Sequence, residues 1–314
     1  MAQLDGVPRH DLDAGARGPL SQEHLPRRLW WVLAGLTLVW GMNWTAMKVA
    51  LSEIAPWTFR SICLAAGSGV LFAVLRLSGQ RLAIARSEWA RVALIAFFNI
   101  TCWNLLVAFG VRLIPSGRAA ILAYTMPVLA IPLSVWLLHE RITGRKLFGL
   151  ALGMGGIVLL IGEEFVKVQA APLGALFMLG AATTWAIGTV LQKKYPISAP
   201  LPALTAWLML VGGIPVYAGA AYFDFGKAFD YGFAPSLALA YNVFIAFAWG
   251  YWAWIKLVGS VSVTVFSLCM LMTPVVGVFS GMLLLGERPT WAEYGALVLV
   301  LGALLTVIKP GAKS

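Results

Sequence analysis

Ten runs of mostly apolar residues fill the chain from residue 29 to residue 308, and they constrain its fold more than any other feature. They cover about 29–50, 57–77, 89–110, 116–138, 145–162, 173–194, 201–222, 234–256, 261–285 and 291–308. Each comes close to the ~20 residues that an α-helix needs to cross ~30 Å of hydrocarbon. Backbone amides cannot stay unpaired in lipid, so runs this long are expected to be helices, and membrane helices tolerate internal glycine and proline. The expected fold class is an all-α integral membrane protein with ten transmembrane helices. Composition agrees, since 11% of residues are charged and 60% are hydrophobic. A soluble domain carries roughly 25% charge, and this chain has too little to cover a water-facing surface.

The polar links carry the sidedness. Of 23 lysines and arginines, sixteen fall on one side of the runs and six on the other, with Arg60 inside the second run. Such an excess marks the cytoplasmic side, so both termini are expected there, in a plasma membrane. The net charge of +10 is thereby explained without nucleic acid, and none is expected as a partner. Trp30, Trp31, Trp57, Trp89, Trp136, Tyr195 and Trp291 fall near run ends, where interfacial aromatics belong. Residues 1–28 read as a disordered cytoplasmic tail and 309–314 as a second short tail. The first apolar run leads into another, which argues against a cleaved signal peptide.

The chain also resembles itself. At an offset of 145, Gly35, Trp40 and Lys48 meet Gly180, Trp185 and Lys193. At 147, Pro127, Glu140, Arg141 and Gly155 meet Pro274, Glu287, Arg288 and Gly302. This gives two five-helix repeats, 29–162 and 173–308. An odd number of spans inverts the second repeat relative to the first, the plan of many secondary transporters. A monomer then contains both halves it needs.

At these residues the chain is similar to the drug/metabolite transporter superfamily, in its ten-helix EamA-type branch. The stretch 108–161, with Pro127, Glu140-Arg141 and the glycines that follow, carries the resemblance most strongly. Residues 269–305 form a second copy, and LVWGMNWTAMK looks like the family's first-helix motif. The resemblance implies export of amino acids, other metabolites or drugs from bacteria, and the aromatic amino acid exporters are the nearest type. No cofactor is implied.

Several residues are candidates for the transport path. Trp40 and Trp185 sit mid-run, where interfacial anchoring cannot explain them. They either line a cavity or pack between helices. Asn99 and Trp103 are four apart and Asn242 and Trp249 seven apart, so helical periodicity puts each pair on one face. Amides in hydrocarbon point inward, to a substrate or to another helix. With Asn43, Asn104, Tyr124, Tyr251 and Met270 they outline an aromatic and amide-lined cavity, suited to neutral or zwitterionic cargo with an apolar part. Pro127 and Pro274 would free the carbonyls of Ala123 and Met270 and act as hinges, or merely kink their helices. Lys48, Glu140, Lys193 and Glu287 are candidates for gates or helix-end clamps, against the plainer reading of side chains that snorkel to the interface. Arg60 takes that plainer reading too.

Catalytic chemistry has little support. His10, His24 and His139 are isolated, and no HExxH, GxSxG or P-loop is present. The single Cys63, Cys102 and Cys269 suggest neither disulfides nor a metal site. Gly149, Gly153, Gly155 and Gly156 read as a surface for close helix packing rather than phosphate binding. No acidic residue lies in the middle third of a run, which favours facilitated transport or exchange over proton coupling. The alternatives are efflux of drugs or cationic compounds and a membrane enzyme acting on lipid-linked substrates.

Overall fold

The computed structural model describes residues 27–139, 143–166, 173–227, 231–258, 269–270 and 272–308. Among them every regular element is helical. In chain order these are α1 (Arg27–Ala50), α2 (Pro56–Leu77), α3 (Arg86–Leu113), α4 (Ser116–Leu138) and α5 (Gly144–Val166). Then come α6 (Leu173–Lys194), α7 (Leu201–Phe223), α8 (Phe233–Ala240, Tyr241–Trp249 and Gly250–Val258 in succession), α9 (Met272–Leu285) and α10 (Trp291–Ile308). Both expected tails lie almost wholly outside the described residues, as does Glu140.

Six of these helices, α2, α3, α4, α6, α7 and α8, are long and apolar enough to cross a membrane. The apolarity of the ten helices is not spent on a water-excluding core alone. Leu77, Trp136, Leu283 and Trp291 are each more than 70% exposed, as expected of surfaces that meet lipid. The protein is a multi-pass membrane protein.

The main packing contacts run α1 on α8 and α9, α2 on α7 and α8, α3 on α6 and α7, α4 on α6 and α9, and α5 on α10. Exchanging α1–α5 with α6–α10, in order, carries this set onto itself. The α1–α9 contact becomes α6–α4, α1–α8 becomes α6–α3, and α2–α8 becomes α7–α3. The α2–α7, α4–α9 and α5–α10 contacts map onto themselves. Glycines permit several of the close approaches. A side chain at Gly149 would strike Thr306, one at Gly156 would meet Val300 and the Ala296 carbonyl, and one at Gly153 would strike Val128.

Two helices that correspond under this exchange share an irregularity. Phe97–Cys102 in α3 and Tyr241–Trp249 in α8 are π-helical. A π turn widens the helix and rotates everything beyond it, and such turns concentrate at functional sites. A third interruption lies in α4, which stops at Ala123 and restarts at Met126. Pro127 occupies the first turn of the restarted segment, where its missing amide costs little. Thr125 seals the break by donating Oγ1 to the Leu122 carbonyl at 2.6 Å.

Candidate functional site

The two π stretches and the break in α4 surround one central cavity of about 200 Å³. The helix α1 supplies Trp40, Asn43, Trp44 and Met47, and α2 supplies Arg60 and Leu64. Ile100, Trp103, Asn104 and Val107 come from α3, Tyr124 and Met126 from α4, and Trp185 from α6. Met209 of α7 and Ala246, Phe247 and Tyr251 of α8 complete the wall. Both halves of the chain therefore contribute.

Its aromatic lining is fixed by specific contacts. Trp40 donates its indole N–H to the Ala246 carbonyl at 3.1 Å, using a backbone acceptor inside the π stretch of α8. Its ring meets Tyr251 edge-on at 6.1 Å. On the other side Trp185 packs against Trp103 with centroids 4.9 Å apart. Tyr241 donates to the Val39 carbonyl at 2.9 Å and so anchors α8 to α1 just before Trp40.

Two polar groups in the wall stand out. Arg60 is 2% exposed, yet its side chain turns inward. Its Nε donates to the Asn104 carbonyl at 3.1 Å and Nη2 reaches the Met47 sulfur at 3.0 Å. Among the described residues no Asp, Glu or Lys lines the cavity. The second group is Asn43, whose buried Oδ1 accepts no hydrogen bond from the described residues.

Of the expected cavity residues, Trp40, Asn43, Trp103, Asn104, Tyr124, Trp185 and Tyr251 stand around this space. Four others stand elsewhere. Asn99 donates to the Trp185 carbonyl at 3.1 Å and accepts from Gln192 at 2.8 Å, so it holds α6 from behind. Asn242 bonds the Ala238 carbonyl of its own helix at 2.9 Å. Trp249 packs on Gly35, and both it and Met270 rest on the cluster of Leu33, Leu36, Ala253 and Leu257. Asn104 also spends its side-chain N–H within its own helix, on the Ile100 carbonyl. Sequence reasoning missed Arg60, Met126 and Phe247 as lining residues. For Arg60 a signal existed, because a charge inside an apolar run is functional by default.

A second cavity of about 280 Å³ shares Met126 and Trp185 with the first. It runs between α4 and α6, past Pro127, Ala130 and Ser134, to Lys146 and Lys193 at the helix ends. Polar contacts join the helices at the opposite end. Glu287 accepts from the Ser116 amide at 2.7 Å, from Ser116 Oγ at 2.9 Å and from the Gly117 amide at 3.2 Å. These are first-turn donors of α4, the place where a carboxylate is best matched to a helix. Arg118 pairs with Glu293 at 2.9 Å, both side chains buried. Glu293 also accepts from the Thr290 amide at 2.7 Å, forming a capping box at the start of α10. Lys48 donates to the Arg112 and Ile114 carbonyls at 3.0 and 2.8 Å, joining the ends of α1 and α3.

Comparison with known proteins bears on this bundle directly. The EamA-like transporter family model matches the chain twice, at residues 29–162 and 172–309. The chain belongs to the EamA-like transporter family. Its relatives in the family include "Uncharacterized transporter YoaV" of Bacillus subtilis (strain 168), 25% identical over 274 residues, covering 87% of this chain and 92% of that one. Another is the "Probable amino-acid metabolite efflux pump" of Escherichia coli (strain K12), 28% identical over 283 residues, with 87% and 92% covered. A third is "WAT1-related protein At3g02690, chloroplastic" of Arabidopsis thaliana, 28% identical over 291 residues, covering 89% of this chain and 67% of that one. A solved crystal structure shares the fold, with a TM-score of 0.61 at 19% identity over 89% of this chain and 96% of that one. This EamA-family member is a membrane transporter, and the Bacillus subtilis and Escherichia coli relatives are named for transport or efflux rather than for catalysis.

Proposed function

We propose that this EamA-family protein is a secondary transporter that exports amino acids or related small metabolites by alternating access. Its ten helices span the bacterial inner membrane as two inverted five-helix repeats, with both termini in the cytoplasm, and a monomer suffices. One observation carries the reading: a cavity walled from both halves, with the corresponding Trp40 and Trp185 facing it from α1 and α6. Two bundles packed through interchangeable contacts can exchange two arrangements of similar energy around such a space, which is the physical requirement of alternating access. The name of the Escherichia coli relative supports amino-acid metabolites as the cargo class.

In this reading the second cavity is the entry path from the cytoplasm, Glu287 clamps the outer end, and the break before Pro127 is a hinge. No carboxylate among the described residues lines the cavity, in keeping with facilitated transport or exchange. Efflux of cationic compounds draws no support from a cavity whose ionised lining residue is Arg60. The test is counterflow in proteoliposomes with a panel of labelled amino acids and their deaminated analogues. Saturable, protein-dependent exchange of at least one compound is the expected result. No exchange of any of them would remove the reading.

A further inference from the structure

The structure assigns Arg60 as the recognition site for a cargo carboxylate, and the cavity as one that prefers small monoanions with an apolar body over zwitterions or cations. This rests on the reading of the central cavity as the cargo site and narrows it.

The case begins with charge. Arg60 is the ionised group among the lining residues, and its guanidinium is permanently protonated. A buried charge without a partner is one of the more costly arrangements in a protein, and retained ones mark function. The other buried basic side chain described, Arg118, has Glu293 as its partner at 2.9 Å. Arg60 instead has a carbonyl, a thioether and the face of the Phe59 ring at 5.2 Å, none of them an anion. A guanidinium offers five N–H donors in a planar fork. Nε is taken by Asn104 and Nη2 touches Met47, while the described residues give Nη1 no acceptor. Because Nε is held, the fork has one orientation, which suits it to grip a carboxylate rather than to swing freely.

A second observation points to the rest of the ligand. The buried Oδ1 of Asn43 is an acceptor without a donor in the same wall. Buried polar atoms left unpaired are rare and call for an explanation. A hydroxyl or N–H near the carboxylate would satisfy it. The Trp40, Trp103 and Trp185 rings provide the surface for an aromatic or aliphatic body. An ammonium group, by contrast, finds no carboxylate among the described lining residues and meets the repulsion of Arg60.

Three probes with one phenyl body separate the possibilities: 3-phenyllactate as the monoanion, phenylalanine as the zwitterion and phenethylamine as the cation. Binding to the purified protein is followed by quenching of the cavity tryptophans, and counterflow is measured in proteoliposomes. Phenyllactate should bind roughly tenfold tighter than phenylalanine, and phenethylamine weakest of all. Arg60→Gln should abolish the preference, and Arg60→Lys should restore part of it. Asn43→Asp, which keeps the shape and neutralises the cavity, should bring phenylalanine level with phenyllactate. The wild-type order needs no variant to fold, so equal binding of the three probes, or preference for phenethylamine, overturns the inference. Retention of the monoanion preference by a folded Arg60→Gln protein overturns it as well. The intended binding order with no flux for any probe removes the transport reading and leaves the inference standing. Flux with the order inverted does the reverse.

Discussion

Glu287, in the link between α9 and α10, holds the first turn of α4 through the amide of Ser116 at 2.7 Å. That carboxylate also takes the Ser116 hydroxyl and the Gly117 amide, so one side chain satisfies donors that would otherwise be orphaned at a helix start. Gly281 leaves the room for it, since a side chain there would strike Glu287.

Glu287→Gln should loosen this end of the bundle. Hydrogen bonds to a charged group are worth about 1.5–3 kcal/mol, or one to two decades in an opening equilibrium. The measurement is the reaction rate of a cysteine at Ala120, introduced after replacing Cys63, Cys102 and Cys269, with a thiol reagent supplied from the Lys48 side. The rate should rise at least tenfold. An unchanged rate would show that Glu287 caps a helix and closes nothing.

Pro127→Ala should heal the break in α4. The new amide can reach the Ala123 carbonyl and let the helix run through Tyr124 and Thr125. Thermal stability should stay within about 1 kcal/mol of the wild type, because the greater freedom of the unfolded chain offsets any new hydrogen bond, while flux should fall by about tenfold if the break serves as a hinge. Proportionate loss of both would make Pro127 a packing residue.

Gly188→Ala should be destabilising by about 1–3 kcal/mol through overpacking, since its Cβ would run into the Asn99 side chain. That collision breaks the bond from Asn99 to the Trp185 carbonyl and so moves a wall of the cavity. The Gly188→Ala, Asn99→Ala double variant should recover part of the lost stability in thermal unfolding. Additive losses would mean that the two residues do not share the strain.

Asp224 follows α7 and accepts from Thr58 at the start of α2, through the amide at 3.0 Å and the hydroxyl at 2.8 Å, and from Lys227 at 2.6 Å. Burial raises its pKa, but the bonds from Lys227 and Thr58 outweigh that and leave it below the ordinary 3.8. A carboxyl depressed in the folded state stabilises fully above its unfolded value, and that stability is lost as pH falls through the folded one. Unfolding of the wild type in detergent should therefore become easier below about pH 4, with a smaller dependence in Asp224→Asn. An identical acid profile in the two proteins would show that another carboxylate sets it.

How far the sequence led depended on whether the helices stayed regular. Trp40 and Asn43 are three apart on α1, an ordinary α-helix, and both face the cavity as a 3.6-residue period requires. Asn99 and Trp103 are four apart on α3, yet Trp103 lines the cavity and Asn99 faces α6. Asn99 lies inside the π stretch Phe97–Cys102 and Trp103 directly follows it, so the period between them is changed. The same happens at Asn242 and Trp249, which both lie within the π stretch of α8 and both leave the cavity. Nothing in the residue types of FFNITC or YNVFIAFAW signals a widened turn, so facial arguments failed there for a physical cause. Arg60 was hidden differently. Grouped with the basic residues at run ends, it looked like a side chain reaching for water, whereas the carbonyl of Asn104 draws it inward.

The Arg60 guanidinium in the cavity wall, which has no anionic partner among the described residues, also has an electrical consequence if it holds a cargo carboxylate. In that case the empty carrier bears a positive charge there, and a bound monoanion would cancel it. Moving one elementary charge across the membrane field is worth about 2.3 kcal/mol per 100 mV, so an inside-negative potential acts on the return of the vacant carrier and barely on the loaded stroke. The resting cell would then hold the vacant protein facing its own interior, reset by voltage without a proton or sodium ion.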